Sequence, residues 1–272
     1  MNKAWQGAPG LSRIAFGIAG PHATPLVAAR ASQNLILQAF QGGITAFDTG
    51  PAYGAGEAER RLGAAIKQVR RDQVFISTKA GVLENKTRDF SASSITASLD
   101  RSLERLGCEY VDVLFLHGPG RRELNDDLAT ILQQEKQRGR IGLIGMAGRG
   151  PEIEAAIDLG IFDLLMAPCH GALSATERQR LEFAKSMGIG IVGIEVLKGA
   201  SAGLRLPRSA ADIWYNARAL RRGMFVKPRY SAKEALRYTL NAGLADVVMV
   251  STTRPAHLQE ALGVLDETEP NT

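Results

Sequence analysis

The sequence predicts an α/β protein of the (β/α)8 TIM barrel class, and two observations favour this fold. Along the 272 residues, short β-branched apolar runs alternate eight times with longer segments of helical period. Runs such as VDVLFL and IGIVGI are almost continuously apolar, as expected for strands that are buried on both faces of a parallel sheet. A doubly wound open sheet is the alternative fold, and no GxGxxG loop supports it. We therefore expect residues 1–272 to form a single barrel domain.

The eight strands are predicted from the apolar runs, each of which is short and rich in β-branched residues. In chain order they are expected at residues 14–18, 44–48, 74–79, 111–117, 141–146, 162–166, 189–194 and 247–250. A helix is predicted after each strand from apolar residues at helical spacing, at 27–42, 57–70, 93–106, 124–138, 151–159, 174–187, 231–242 and 255–265. Five of these helical segments end at a glycine, where a left-handed residue stops a helix at little energetic cost. The glycines are Gly107, Gly139, Gly160, Gly188 and Gly243.

Cysteine content and hydropathy limit the environment of the protein. Cys108 and Cys169 are too few for a disulfide framework and lack the spacing of a zinc site, so we predict no bound metal. No cationic N-terminus leads into an apolar signal region, and no apolar run approaches the roughly 18 residues of a membrane helix. We therefore expect a soluble cytoplasmic protein without a membrane partner.

Four polar side chains lie where a barrel of this class carries chemistry. Asp48, Lys79 and His117 are the last residues of three consecutive predicted strands, and Tyr53 lies in the loop after the first of these. Because functional groups of such barrels gather at the C-terminal ends of the strands, the four side chains are expected to converge. Each alone has a structural explanation, such as a turn aspartate, a packed tyrosine, a solvated lysine or a hydrogen-bonded histidine. Together they indicate one site of proton transfer.

The chain resembles the aldo-keto reductases in five segments that occur in the order of that family. These segments are FDTGPAYGAGEAERRLGAAI, VFISTKAG, SLERLGCEYVDVLFLHGP, GRIGLIG and TTRPAHLQEAL, which together span nearly the whole sequence. The first is similar to the YGxGxSExxLG pattern of bacterial sugar-dehydrogenase-like members, except that Ala58 stands where serine is usual.

The resemblance implies that Asp48, Tyr53, Lys79 and His117 form the catalytic tetrad of the family. A phenol ordinarily titrates at about pH 10, so an adjacent ammonium group is needed to favour the phenolate. Lys79 would supply that charge, and Asp48 would anchor Lys79. In carbonyl reduction, a nicotinamide would deliver hydride while Tyr53 gives a proton to the oxygen and His117 orients the carbonyl group.

The resemblance also implies that a nicotinamide would lie against Ala147, Gly148, Met166 and Ile194. In the family, serine and asparagine hold the carboxamide at the first two positions, glutamine occupies the third, and an aromatic ring stacks at the fourth. Each departure removes about 1 kcal/mol of hydrogen bonding or stacking. Loss of the cofactor is therefore an alternative to its use.

At the adenine end of the cofactor, the resemblance places Glu260 against the base and Thr252 at the hydroxyl position of the family. Ser251 and His257 stand where basic residues usually bind a 2′-phosphate, and Arg254 lies close enough in sequence to compensate. NADP is therefore the expected cofactor, with NAD as the alternative.

The net charge is +5, and the positive excess is concentrated in one long segment at about 196–230, which also contains Trp214 and Tyr215. Its only acidic residue is Asp212, and its basic residues are Lys198, Arg205, Arg208, Arg218, Arg221, Arg222, Lys227 and Arg229. In a barrel the segment would lie on the active-site face, either as a lid over an anionic substrate or the cofactor pyrophosphate, or as an ordinary surface helix. No recognition motif accompanies the charge, so nucleic acid is not expected as a partner.

Three functions are consistent with these observations. The first is an oxidoreductase that transfers hydride between NAD(P)(H) and a small carbonyl or sugar substrate, with Tyr53 as general acid and base. The second is a redox-neutral lyase or isomerase that uses Tyr53, Lys79 and His117 without nicotinamide. The third is a non-catalytic binding or regulatory subunit, since a fold alone does not establish chemistry. The sequence predicts neither the identity of the substrate nor the oligomeric state.

Overall fold

Eight parallel strands close into a barrel in the order of the chain, and the last strand pairs with the first to complete it. The computed structural model describes residues 10–198, 200, 207, 209–221 and 230–268. Its strands are β1 (Ile14–Gly17), β2 (Ala46–Asp48), β3 (Phe75–Ala80), β4 (Val111–His117), β5 (Ile141–Ala147), β6 (Leu164–Pro168), β7 (Gly190–Ile194) and β8 (Val247–Val250). The predicted (β/α)8 barrel is therefore confirmed.

Helices follow the strands and cover the outside of the barrel. They are α1 (Ala29–Gln41), α2 (Glu57–Ile66), α3 (Ala92–Leu106), α4 (Asp126–Gln137), α5 (Glu152–Leu159), α6 (Ala175–Ser186), α7 (Ala210–Arg221), α8 (Ala232–Asn241) and α9 (Pro255–Thr268). α6 and α8 begin with capping boxes, in which a serine hydroxyl and the glutamate three residues later satisfy each other's backbone N–H groups. Gly107 and Gly160 end α3 and α5 in the left-handed conformation that the sequence predicts.

Alternating strand residues fill the inside of the barrel, because side chains two positions apart on a strand point to the same side. The buried cluster that fills this interior is Ala15, Ala46, Val113, Phe115, Ala147, Leu164, Met166, Val192 and Val247. The same rows continue toward the C-terminal ends of the strands as Asp48 on β2, Lys79 on β3 and His117 on β4. The strand register pairs Lys79 with Phe115 and His117 with Ala147. The fold therefore brings these polar side chains to one end of an apolar interior.

Four predicted strand ends differ from the structure: β1 ends one residue earlier, at Gly17, β5 ends one residue later, at Ala147, and β3 and β6 are also longer. β3 continues one residue beyond Lys79, to Ala80, and β6 continues beyond Met166 to Pro168. Met166 therefore lies inside β6 and is not its last residue, and its side chain is buried in the barrel. The extra residues are apolar, and the sequence pattern contains no breaker at either predicted end.

The long basic segment contributes α7, which contacts the loops after β1 and β8. Asp212 of α7 forms an ion pair with Arg254, and the ring of Trp214 lies against Gly20. The arginines and lysine at positions 205, 208, 222, 227 and 229 lie outside the described residues. In the part of the chain that the structure describes, no helix is long and apolar enough to cross a membrane.

Candidate active site

Asp48 and Lys79 form an ion pair that is almost completely buried at the C-terminal end of the barrel. The Nζ atom of Lys79 donates to Asp48 Oδ1 at 2.6 Å and to the Thr49 carbonyl oxygen at 2.8 Å. The Ser77 hydroxyl donates to the same Asp48 oxygen at 2.8 Å. Burial by itself lowers the pKa of Lys79, but the adjacent Asp48 carboxylate and the Tyr53 oxygen outweigh it, so the pKa is raised. Lys79 is therefore a fixed ammonium group.

Tyr53 lies in a tight turn between β2 and α2, and its ring lies over Lys79. The Lys79 ammonium is 5.2 Å from the centre of the Tyr53 ring. The three residues after Tyr53 have positive φ angles: Gly54, Ala55 and Gly56. A Cβ atom on Gly54 would lie 2.0 Å from the Ala23 carbonyl oxygen, so only glycine fits this contact. The YGAG sequence thus fixes the backbone that carries Tyr53.

Glu59 anchors the Tyr53 turn to the strand of Lys79. Its carboxylate is fully buried; one oxygen accepts from the Thr78 hydroxyl at 2.6 Å and the other from Arg105 Nε at 2.6 Å. Because Thr78 precedes Lys79 on β3, α2 and β3 are held in a fixed relation to each other. Arg105, on α3, links the same carboxylate to the next helix.

His117, the last residue of β4, completes the cluster. Its ring and that of Tyr53 meet edge to face, with centroids 5.7 Å apart and an interplanar angle of 77°. Burial lowers the pKa of His117 to about 3, and the positive charges of Lys79, Arg149 and Arg88 add to this effect. The imidazole is therefore neutral near pH 7. Its Nδ1 atom is buried, and none of the described residues offers it a hydrogen-bond partner.

The positions predicted to face a nicotinamide lie beside this cluster. Ala147 is the last residue of β5 and pairs with His117, Met166 pairs with Ala147, and Ile194 is the last residue of β7. All three side chains belong to or pack against the interior cluster. A Cβ atom on Gly148 would lie 3.0 Å from Glu152 Oε1, so the backbone leaves little room for a side chain. Ala147, Met166 and Ile194 thus form an apolar wall on one side of the cluster.

An ion pair between Arg149 and Glu195 crosses the mouth of the barrel above this wall. Arg149 Nη2 lies 2.8 Å from Glu195 Oε1. Glu195 follows β7 with a φ of 56°, an uncommon conformation for a residue other than glycine. Sequence reasoning did not find the pair, because its members are 46 residues apart. The available signal was that each residue directly follows a position expected to contact the nicotinamide: Arg149 follows Gly148, and Glu195 follows Ile194.

The residues predicted for the adenine end lie on the loop after β8 and at the start of α9. Ser251, His257 and Glu260 are exposed, whereas Thr252 and Arg254 are partly buried. The Thr252 hydroxyl accepts from the Arg254 backbone N–H at 3.1 Å and lies 3.5 Å from His257 Nδ1. The guanidinium group of Arg254 is paired with Asp212 of α7. These residues form a second cluster on the same face of the barrel, reached through the loop after β8.

The sequence matches the Aldo/keto reductase family over residues 13–270, which includes the whole barrel. The chain belongs to the aldo-keto reductase family. It is 30% identical over 252 residues to an L-galactose dehydrogenase of Arabidopsis thaliana, a match that covers 86% of this chain and 77% of the relative. A match at 32% identity to a D-threo-aldose 1-dehydrogenase of a Pseudomonas species covers 47% of each chain, so it spans about half of that relative.

Solved structures of aldo-keto reductases share the fold. The holo form of an aldo-keto reductase from Bacillus halodurans superposes with a TM-score of 0.77 at 21% identity, covering 96% of this chain and 89% of that one. At this identity the likeness concerns the fold alone.

Membership of the aldo-keto reductases implies a nicotinamide dinucleotide, and the described residues fit such a group. The wall of Ala147, Met166 and Ile194 is apolar, as the face of a nicotinamide ring requires, and lies next to His117. Thr252 and Arg254 offer a hydroxyl and a cation at the positions that the sequence predicts for the adenine end. The departure is at the carboxamide, because the wall carries no hydrogen-bonding side chain.

Proposed function

We propose that this aldo-keto reductase is an NAD(P)-dependent oxidoreductase that interconverts a small carbonyl or sugar substrate and its reduced form. The observation that carries the proposal is the buried Asp48–Lys79 ion pair beneath Tyr53, with the neutral His117 ring 5.7 Å from the Tyr53 ring. An acid, a phenol, an ammonium and an imidazole in contact form a site for proton transfer at a carbonyl oxygen. The dehydrogenase names of the relatives support the same class of reaction.

In the proposed reaction Tyr53 gives its phenolic proton to the substrate oxygen. A bound reduced nicotinamide would supply the hydride. The Lys79 ammonium, held by Asp48 and the Thr49 carbonyl group, stabilises the phenolate that remains on Tyr53. In the oxidative direction the phenolate takes the proton back, with the same ammonium group in place.

His117 is proposed to orient the carbonyl group and stabilise the negative charge that develops on its oxygen. With a pKa of about 3, the ring is neutral near pH 7 and retains one N–H group for donation. A neutral donor in a buried site strengthens its hydrogen bond as charge builds on the oxygen, without itself losing the proton. His117 is thus a hydrogen-bond donor, and Tyr53 is the proton donor.

We propose NADP as the cofactor, with Arg254 and Thr252 at the 2′-phosphate and Glu260 at the adenine. The partner of Arg254 is Asp212 on α7, so a 2′-phosphate would compete with this carboxylate for the guanidinium group. Ser251 and His257 lie on the same exposed loop and helix end. NAD, which has no 2′-phosphate, would leave the Arg254–Asp212 pair intact, and this difference separates the two cofactors.

The test is a titration of the purified protein with NADPH and with NADH, followed by calorimetry, and then assays on aldehydes and aldoses. We expect binding at micromolar concentration and turnover that Tyr53→Phe abolishes while cofactor affinity is retained. Absence of binding of both cofactors at millimolar concentration would contradict the proposal. Binding without turnover on any carbonyl or sugar would favour the non-catalytic subunit.

One observation favours a second candidate, a redox-neutral lyase or isomerase. The wall of Ala147, Met166 and Ile194 carries none of the side-chain hydrogen bonds to a carboxamide that the resemblance implies, and Gly148 is packed against Glu152. In that case Tyr53 would move a proton on a substrate without a hydride step, with the Lys79 ammonium and His117 as its supporting groups. Activity that survives exhaustive removal of nicotinamide cofactor would support this second candidate, and strict dependence on added cofactor would exclude it.

A further inference from the structure

We infer that Arg149 and Arg88 form an anion-binding pair at the mouth of the barrel and select a carbonyl substrate that carries a carboxylate or phosphate group. The inference rests on the proposed function and specifies its substrate class. Arg149 lies two residues after the end of β5, and Arg88 lies in the segment between β3 and α3. Because β4 lies between β3 and β5 in the barrel, the two arginines flank the strand that ends at His117.

Both arginines are held close to His117 by contacts of their own loops. Arg88 Nη2 donates to the carbonyl oxygen of Gly118, the residue after His117, at 2.7 Å. Backbone N–H groups of Arg149 and Gly150 donate to Glu152 Oε1 at 2.6 and 2.9 Å, which fixes the loop that carries the Arg149 side chain. Arg88 is thereby fixed beside His117, and the Arg149 side chain starts from a fixed loop two residues beyond Ala147, the strand partner of His117.

The positive potential of both groups reaches the place where the substrate carbonyl is proposed to bind. Arg149 and Arg88 both act on the His117 ring, together with Lys79. The Lys79 charge is balanced by Asp48 in direct contact. Arg149 and Arg88 are paired as well, with Glu195 and Glu123, but their side chains are about half exposed whereas the Lys79 side chain is buried. Of the three cations, the two arginines are therefore the ones that a negative group on the substrate can reach.

The existing partners of the two arginines are suited to exchange. Arg149 pairs with Glu195, and Arg88 pairs with Glu123 at 3.1 Å. The arginine side chains are 57% and 49% exposed, and exposed ion pairs contribute little net stability. A guanidinium group has five N–H donors in a planar fork that matches carboxylate or phosphate oxygens, so it can bind a second oxyanion beside its first partner.

The test compares matched charged and uncharged substrates. Glyceraldehyde 3-phosphate is paired with glyceraldehyde, and 4-oxobutanoate with its methyl ester, in assays that contain the cofactor found by titration. For Arg149→Gln we expect kcat/KM to fall roughly 10- to 100-fold on the charged substrates, the range of one charged hydrogen bond, and less than about threefold on the uncharged ones. Arg88→Gln should act in the same direction, and Arg149→Lys should retain part of the preference.

Arg237→Gln is the matched control, because Arg237 lies on α8, is similarly exposed and pairs with Glu267. It removes the same charge outside the barrel mouth and should change both substrate classes by less than about twofold. Circular dichroism and the thermal midpoint check that each variant is folded. If Arg149→Gln lowers kcat/KM equally for both substrate classes, the inference is overturned and the proposed function stands.

If no substrate is turned over, the proposed function fails, and the anion site is tested by calorimetry without it. Succinate and 3-phosphoglycerate are titrated into the wild-type protein and the Arg149→Gln and Arg237→Gln variants. Binding that Arg149→Gln weakens at least about tenfold and Arg237→Gln leaves unchanged would support the inference. Equal binding by all three proteins, or no binding to any of them, would overturn it.

Discussion

Lys79 illustrates how one residue depends on its immediate partners. The side chain of Lys79 is 2% exposed, and the side chain of Asp48, whose carboxylate contacts the ammonium group, is 7% exposed. Removing one member of such a buried pair leaves a charge without compensation, whereas removing both leaves none. The pair is therefore a structural requirement of the barrel mouth as well as part of the proposed chemistry.

Asp48→Asn should lower the free energy of unfolding by about 3–5 kcal/mol, because Lys79 would remain buried without its counter-charge. The double variant Asp48→Asn/Lys79→Met should recover part of this loss, which a double-mutant cycle from urea denaturation measures. Arg237→Gln, which breaks an exposed pair, serves as the control at about 0–1 kcal/mol. Additive effects of Asp48→Asn and Lys79→Met would argue against the pair acting as a unit.

His117 should make the stability of the protein depend on pH. Its pKa falls from 6.5 to about 3 on folding, so below pH 6.5 the unfolded chain binds a proton that the folded protein does not. Stability is therefore lost as the pH falls from 6.5, by about 1.4 kcal/mol per unit. Between pH 7 and pH 5 the wild type should lose about 2 kcal/mol more than His117→Gln in urea denaturation. Parallel losses in both proteins would contradict this assignment.

At the scale of single residues, the sequence predicted that Asp48, Tyr53, Lys79 and His117 form one cluster. The reason is that the C-terminal ends of all strands in a parallel barrel lie at the same end of the barrel. The structure brings the side chains together, and their catalytic roles stay predictions. The Arg149–Glu195 bridge was not predictable, since a contact between two loop side chains depends on rotamers and on a positive φ angle that no local pattern specifies.

Among the elements, α7 is held on the barrel by side-chain contacts with the loops after β1 and β8. Its Trp214 ring lies against Gly20, where an added Cβ would be 2.9 Å from Cη2 of the ring. Gly20→Ala should therefore displace Trp214 and loosen α7. With Trp5→Phe as the background, Trp214 is the only tryptophan, and its emission should shift to the red in the Gly20→Ala variant.

Gly160→Ala is the matched control for Gly20→Ala. The φ angles of the two glycines are 59° and 70°, so an alanine is strained to a similar degree at either position. No atom lies within 4 Å of a Cβ placed on Gly160. An equal spectral shift in both variants would mean that backbone strain, and not the Trp214 contact, is responsible.

Most element bounds could be read from the sequence because period and terminating glycines are local properties. All eight strands begin and end within two residues of the prediction. α7 was not placed, because the segment around Trp214 mixes basic and apolar residues without a clear start or stop. The ion pair of Asp212 with Arg254, which fixes the helix on the barrel, joins residues 42 positions apart and leaves no local signal.

Over the whole molecule, the closed barrel should protect Cys169 from reaction. The thiol lies just after β6, is 0% exposed, and burial raises its pKa to about 12. In a Cys108→Ser variant, modification of Cys169 by a disulfide reagent should be at least about 1000-fold slower than in guanidinium, since both exposure and thiolate formation require opening. Rapid labelling under native conditions would show that this side of the barrel opens locally. The single-domain organisation and the cytoplasmic location stay predictions.

His22 links two loops of the barrel, and this link bears on where the ligand-free protein opens locally. Its imidazole is buried between Ser32 and the Thr252 carbonyl oxygen, with Nε2 2.7 Å from that oxygen. His22 thereby connects the loop after β1 to the loop after β8, at the seam where these two strands pair and close the barrel. A nucleotide bound at Thr252 would contact one of these two loops and stabilise the seam. We therefore expect limited proteolysis of the ligand-free protein to cut first at this seam, and bound nucleotide to slow that cleavage.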